Sequence, residues 1–154
     1  MNKQKGFTII ELIVVVAIIA VLAAIVLVNV TSYINKGRDA AARGNLSSIL
    51  TNSAVFYDTN STYTNFTTSV TTPKAVAADC AGNAGFQAPC LALATATPAY
   101  PITFTCAGAA CNAAGATGWC AMITLKSTTN TYCVDSTGTK LEKASGTCAS
   151  GVCG

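Results

Sequence analysis

The chain has 154 residues, of which 51% are hydrophobic and 10% charged, with a formal charge of +3 and no histidine. That length leaves room for one modest domain beyond an amino-terminal helix, and no basic run rises to a nucleic-acid footprint. Lacking histidine, the chain lacks the commonest general acid–base group, and zinc would need all-thiolate sites.

Lys3, Lys5 and Gly6 lead into Phe7-Thr8-Ile9-Ile10-Glu11, and from Leu12 to Val28 no residue is polar or charged. A helix rises about 1.5 Å per residue, so residues 7–28 are long enough for the roughly 30 Å hydrocarbon layer of a bilayer. Lysines before the run, and no charge after it until Lys36, predict a cytoplasmic amino terminus and an exported remainder. A secretory signal peptide would carry a shorter apolar core and an Ala-x-Ala-like cleavage site. No such site follows the run, so the helix is expected to be retained. Glu11 is an acid inside an apolar stretch, and a residue so placed is a functional candidate whose partner must be found. The simplest competitor is a plain single-pass anchor whose Glu11 snorkels toward the head groups.

Beyond Val28 the pattern becomes amphipathic. Val30, Ile34, Ala41, Leu46, Ile49, Leu50, Ser53, Ala54 and Tyr57 recur at near-helical spacing, while Lys36, Arg38, Asp39 and Arg43 decorate the other faces. No proline occurs before Pro73, so one helix is predicted over residues 7–57, with Asp58-Thr59-Asn60 as its stop. Gly37 and Gly44 within it mark a bend, a close crossing, or small residues at a packed face. Residues 58–99 are rich in Ser, Thr and Ala with little periodicity and read as a connecting loop region, pinned by Tyr63 and Phe66. Asn60-Ser61-Thr62 and Asn65-Phe66-Thr67 fit the N-glycosylation pattern but read as ordinary loop residues.

Residues 100–154 read as an antiparallel sheet with a cysteine-rich tail. Tyr100, Ile102, Phe104 and Cys106 alternate, as do Trp119, Ala121, Ile123 and Leu125. Ser127 to Asn130 forms a turn, Thr131 to Asp135 the return strand, and Asp135 to Gly138 a turn toward Lys140-Leu141-Glu142. If residue 126 faces 131, Thr124 faces Cys133, so Cys120 and Cys133 are not opposed. The fold class expected is α+β, a long amino-terminal helix packed on a small antiparallel sheet.

All eight cysteines follow residue 79: Cys80, Cys90, Cys106, Cys111, Cys120, Cys133, Cys148 and Cys153. An even number in an exported small domain reads as disulfides, and 105 pairings are possible. The short spacings Cys106–Cys111 and Cys148–Cys153 suit small closed loops, and Cys80 with Cys90 suits a loop staple. No catalytic pair of acids, phosphate loop or activated nucleophile can be assembled, so no enzyme activity, metal or cofactor is expected. Asp135 with Ser136 to Gly138 suits either a calcium ligand or, more commonly, an Asx turn.

The six-residue leader ending in Gly6, then Phe7, then Glu11 and an unbroken apolar helix, resembles the type IV prepilins and the pseudopilins of type II secretion and DNA uptake. The resemblance implies a leader at residues 1–6, cleavage between Gly6 and Phe7 by a prepilin peptidase, and N-methylation of Phe7. It implies that Glu11 meets the Phe7 ammonium of a neighbouring subunit, which sets register in a helical homopolymer raised by inner-membrane assembly machinery. Two buried charges of opposite sign cost far less together than either alone. Many members carry a proline near the position of Val28, and this chain does not. The expected function is a major pilin, first held in membrane lipid and then assembled outside the cell. The alternatives are a pseudopilin or minor pilin, and a membrane-anchored binding module that does not polymerise. The segment Trp119 to Ala121 with Tyr132 to Gly138 resembles, less specifically, the head sheet of some pilin-like proteins.

Overall fold

A 52-residue helix, α1 (Ile9–Asn60), dominates the chain. The computed structural model describes residues 6–67, 80, 83–96, 102–108 and 114–154. The chain divides into two compact units, Met1–Asn35 and Lys36–Gly154, and α1 passes through both. In the first unit the large apolar side chains from Ile9 to Leu27 are 51–78% exposed. The most apolar window of α1 has a mean hydropathy of 3.3, long enough and apolar enough to cross a membrane.

In the second unit α1 gains a buried stripe. Asp39, Ala42, Leu46, Ile49 and Ser53 are buried, alternately three and four residues apart, which is the spacing of one helix face. That face is rotated from the one expected: Ala41, Ala54 and Tyr57 are exposed, and Val30 and Ile34 are also exposed. Gly37 and Gly44 have nothing within 4 Å of a Cβ added to them, so neither marks a close crossing. The helix continues three residues past Tyr57, with Asn60 Nδ2 donating back to the Phe56 carbonyl at 2.8 Å.

A second helix, α2 (Ala84–Ala96), lies inside the stretch expected to be loop. Asn83 caps it, its Oδ1 accepting from the Gly85 amide at 2.9 Å. Pro89 interrupts the helical pattern and has no N–H for the Gly85 carbonyl four residues before it. Asn52 Nδ2 of α1 supplies that bond instead, at 2.7 Å, so a neighbouring helix repairs the defect.

Four strands form an antiparallel meander in the order β1 (Ile102–Ala107), β2 (Gly118–Thr124), β3 (Thr131–Asp135) and β4 (Lys140–Lys143). Thr124 faces Thr131 and Met122 faces Cys133, a register two residues from the one expected. Cys120 faces Asp135, so Cys120 and Cys133 remain unopposed. Tyr100 lies outside the described residues. Side chains alternate across the sheet. Phe104, Trp119, Ala121, Ile123 and Val134 join Leu46, Ile49, Phe86 and Leu93 in one core. Within it Phe66, Phe86, Phe104 and Trp119 close a circuit of ring contacts, with centroids 4.9–6.0 Å apart.

On the other face, β5 (Cys148–Ala149) and β6 (Val152–Cys153) form a small hairpin. Cys148 and Cys153 face each other across it but do not bond to each other. Cys148 bonds to Cys120 and Cys153 to Cys133, closing spans of 28 and 20 residues and stitching the tail to the sheet's central strands. Longer closed loops constrain the unfolded chain more, so this arrangement gains more than the short tail loop would. Cys80 bonds to Cys90 on α2, and Cys106 is also disulfide-bonded. Cys111 lies outside the described residues.

Two buried carboxylates hold the loops. Asp39, fully buried on α1, accepts from the Lys126 and Ser127 amides at 2.9 and 2.8 Å and from the Ser127 hydroxyl, docking the β2–β3 turn on the helix. Asp135 accepts from Thr137 Oγ1 at 2.6 Å and from the amides of Thr137, Thr139 and Cys153 at 3.0–3.1 Å. Burial pushes the Asp135 carboxyl up, but the Thr137 hydroxyl and these amides outweigh it and hold the group below the usual carboxylate value.

Replacing Asp39 with Ala should lower stability by about 2–3 kcal/mol, because two amides lose a charged acceptor. Urea unfolding followed by fluorescence of Trp119, the chain's single tryptophan, measures it; an unchanged midpoint would contradict the docking role. For Asp135 the folded pKa lies below the unfolded one, so its contribution is complete above the unfolded value of about 3.9 and is lost as pH falls through the folded value. Stability should therefore decline on acidification below about pH 4–5, and Asp135→Asn should make that decline shallower. The same urea titration repeated from pH 7 to pH 2 reads both slopes; parallel curves would remove Asp135 from the account.

Candidate processing and assembly site

Gly6, Phe7 and Thr8 precede the first turn of α1 without regular structure. Phe7 is 89% exposed, and an added Cβ at Gly6 would meet nothing within 4 Å. The Gly6–Phe7 peptide bond therefore lies between two exposed residues without regular structure, just before a helix. Lys3 and Lys5 of the expected leader lie outside the described residues.

Helix α1 starts with a reciprocal cap. Thr8 Oγ1 accepts from the Glu11 amide at 3.3 Å, and Glu11 Oε2 accepts from the Thr8 amide at 2.9 Å. Thr8 Oγ1 also donates to Glu11 Oε2 at 2.7 Å. The Leu12 amide closes the first helical bond onto the Thr8 carbonyl at 3.3 Å. This is a capping box, in which an N-cap threonine and the glutamate three residues later satisfy each other's amides. A carboxylate in the first turn also meets the positive end of the helix dipole. Glu11 thus has a role within one chain, and both hydrogen bonds that its carboxylate accepts from Thr8 end on Oε2. The structure brings Glu11 to Thr8 and not to Phe7. Thr8 was missed in the sequence, although Thr-x-x-Glu before an apolar run is a recognisable helix-start pattern.

The remaining candidates carry no chemistry. All four bonds to Asp135 come from N–H or O–H donors, the arrangement of an Asx turn closed by the tail, which leaves no calcium cradle. Among the described residues no group of three or more His, Cys, Asp or Glu could hold a metal, and no described cysteine is free. Asn60 and Asn65 are both exposed, whereas Thr67 of the second glycosylation pattern is buried.

Residues 1–27 match the family described as the prokaryotic N-terminal methylation motif. The type IV major alpha-pilin of Moraxella bovis is 52% identical over 46 residues, 30% of this chain and 29% of that protein. Fimbrial protein Q of the same organism gives the same identity over the same length and shares. The type IV major pilin protein PilA of Myxococcus xanthus is 36% identical over 64 residues, 42% of this chain and 29% of its own length. The chain thus spans under a third of the curated relatives it matches. No solved structure matches it. The amino-terminal part of the chain thus carries the methylation motif and is similar to type IV pilins, and its long helix beside a disulfide-stitched antiparallel sheet is a pilin-like arrangement.

Proposed function

We propose that the chain is the major subunit of a type IV pilus-like filament. In this reading it is inserted in the cytoplasmic membrane with its amino terminus inside. A prepilin peptidase cuts it between Gly6 and Phe7, Phe7 is N-methylated, and membrane assembly machinery stacks the mature chain. The observation that carries the proposal is the apolar first part of α1, exposed at every described large side chain from Ile9 to Leu27 and bearing one carboxylate at its start. Such a surface needs lipid or protein around it. Between helices in lipid, packing and polar pairing drive association, because hydrocarbon tails are as apolar as leucine.

Glu11 then serves two states. Alone, it is satisfied by Thr8. In a filament its charge pairs with the Phe7 ammonium of a neighbour, and a subunit out of step leaves both ions unpaired in an apolar surrounding, which is costly. Two relatives described as major pilins favour the major subunit over a pseudopilin or minor pilin. A binding module that never polymerises would leave the charge pairing without a purpose.

Two substitutions separate capping from pairing. Glu11→Ala removes both, whereas Glu11→Gln keeps a side chain able to cap Thr8 but carries no charge. Both variants should be processed and remain in the membrane, and both should yield at least tenfold fewer sheared filaments in an otherwise intact host. Normal filament yield from the glutamine variant would rule out register by charge pairing.

A further inference from the structure

The tail hairpin holds Cys148 and Cys153 in a position to bond to each other, yet each is bonded elsewhere. Between β5 and β6, Ser150 and Gly151 have φ of 50° and 75°. Successive positive φ values make the type I′ turn that fixes the register of a tight hairpin. Ala149 therefore faces Val152, and Cys148 faces Cys153. Thr147 and Gly154, the next pair outward, exchange both backbone bonds: the Thr147 amide donates to the Gly154 carbonyl at 2.7 Å, and the Gly154 amide to the Thr147 carbonyl at 3.0 Å. In an antiparallel ladder the pair beside such an exchange makes no bonds of its own. Its Cα atoms lie closer, at about 4.5 Å, with both side chains on one face. A disulfide needs Cα atoms about 4.4–6.8 Å apart, so Cys148 and Cys153 meet the requirement.

Their partners on the sheet lack that freedom. Met122 faces Cys133, so Cys120 is diagonal to Cys133, two residues along the neighbouring strand. Such diagonal neighbours are about 7–8 Å apart, beyond the roughly 7 Å that a disulfide spans without backbone movement. The bonds made are Cys120–Cys148 and Cys133–Cys153, and Cys148–Cys153 is left unmade. Cys120 and Cys133 are buried, whereas Cys148 and Cys153 are partly exposed, so an incoming thiolate meets the tail sulfurs first.

We propose that the tail is a redox-sensitive strap that exchanges its disulfide partners when it meets a dithiol, such as that of a thiol–disulfide oxidoreductase. The dithiol gives two electrons and two protons to Cys120–Cys148, becomes a disulfide, and leaves thiols on Cys120 and Cys148. The Cys148 thiolate then attacks Cys153 Sγ in the Cys133–Cys153 bond. Cys148–Cys153 forms, and the Cys133 thiolate leaves and takes the proton that Cys148 gave up. If Cys133–Cys153 opens first, Cys153 attacks Cys148 and Cys120 leaves. Either cut ends in one product, a hairpin closed on itself and thiols on Cys120 and Cys133. A single reductive event thus removes both covalent holds on the tail. Weaker holds remain: the Thr105 hydroxyl on the Cys148 carbonyl at 3.2 Å, and the Cys153 amide on Asp135 at 3.1 Å. Every group involved lies in the second unit, so the exchange is independent of polymerisation.

The test is limited reduction of the full oxidised chain with dithiothreitol, raised until about half of the Cys120–Cys148 and Cys133–Cys153 bonds have opened. Acid quenching, alkylation and peptide mapping then locate the bonds. Molecules with one bond left among Cys120, Cys133, Cys148 and Cys153 should carry Cys148–Cys153 several-fold more often than either original bond. A form that keeps Cys120–Cys148 or Cys133–Cys153 in its place, or loss of both with no Cys148–Cys153, would overturn the proposal. The variants Cys120→Ser and Cys133→Ser check the same step without reductant, because each frees one tail thiol beside the remaining bond. Both should settle on Cys148–Cys153, with the free thiol on Cys133 in the first and on Cys120 in the second. Retention of the remaining original bond in either variant would also overturn it.

Discussion

An apolar helix surface cannot remain in water, and from Ile9 to Leu27 α1 is uncovered along its length, its large apolar side chains 51–78% exposed. Burial of apolar surface yields about 25 cal/mol per Å², so a segment of this size has a strong demand for cover. The described chain supplies none. Under the proposed function, lipid meets that demand in the membrane and other copies of the same helix meet it in the filament. Because hydrocarbon is already apolar, exchanging one cover for the other is near neutral in hydrophobic terms. Under the proposed function, the bias must come from packing and from the few polar groups at the helix start. Glu11 is the only charged side chain between Lys5 and Lys36, which gives it weight beyond its size.

The second unit solves a different problem. It has few charges, two slender layers against one sheet, and a long stretch rich in small polar residues. Its core is built around the ring circuit of Phe66, Phe86, Phe104 and Trp119. Two buried carboxylates supply what apolar packing cannot: Asp39 joins helix to turn, and Asp135 joins turn to tail. The tail contributes little apolar area and is held covalently through Cys148 and Cys153 to the strands bearing Cys120 and Cys133. Cross-links of this kind suit a small unit placed outside the reducing cytoplasm.

The methylation-motif pattern of the amino-terminal part was legible because Gly6, Phe7, Glu11 and the apolar run fall together in a short span. The four-strand meander was legible because alternation and turn residues are local signals. Helix α2 was hidden by Pro89, and its repair by Asn52 is a tertiary contact that no local pattern contains. Asp39 read as a solvent-facing charge because its amide donors lie 87 and 88 residues away. The disulfides show the same limit: Cys148 and Cys153 are near in sequence and face each other in a hairpin, yet each bonds across to the sheet. Thr8 is the opposite case, a local signal overshadowed by the more conspicuous Glu11.

The central claim is that the processed chain polymerises, and intact mass with amino-terminal sequencing of sheared-filament and membrane fractions tests it most directly. The account predicts filaments built of a chain that starts at N-methylated Phe7, with a mass eight hydrogens short of the fully reduced value. A chain that keeps Met1 or Asn2 and is confined to the membrane of a competent host would contradict it.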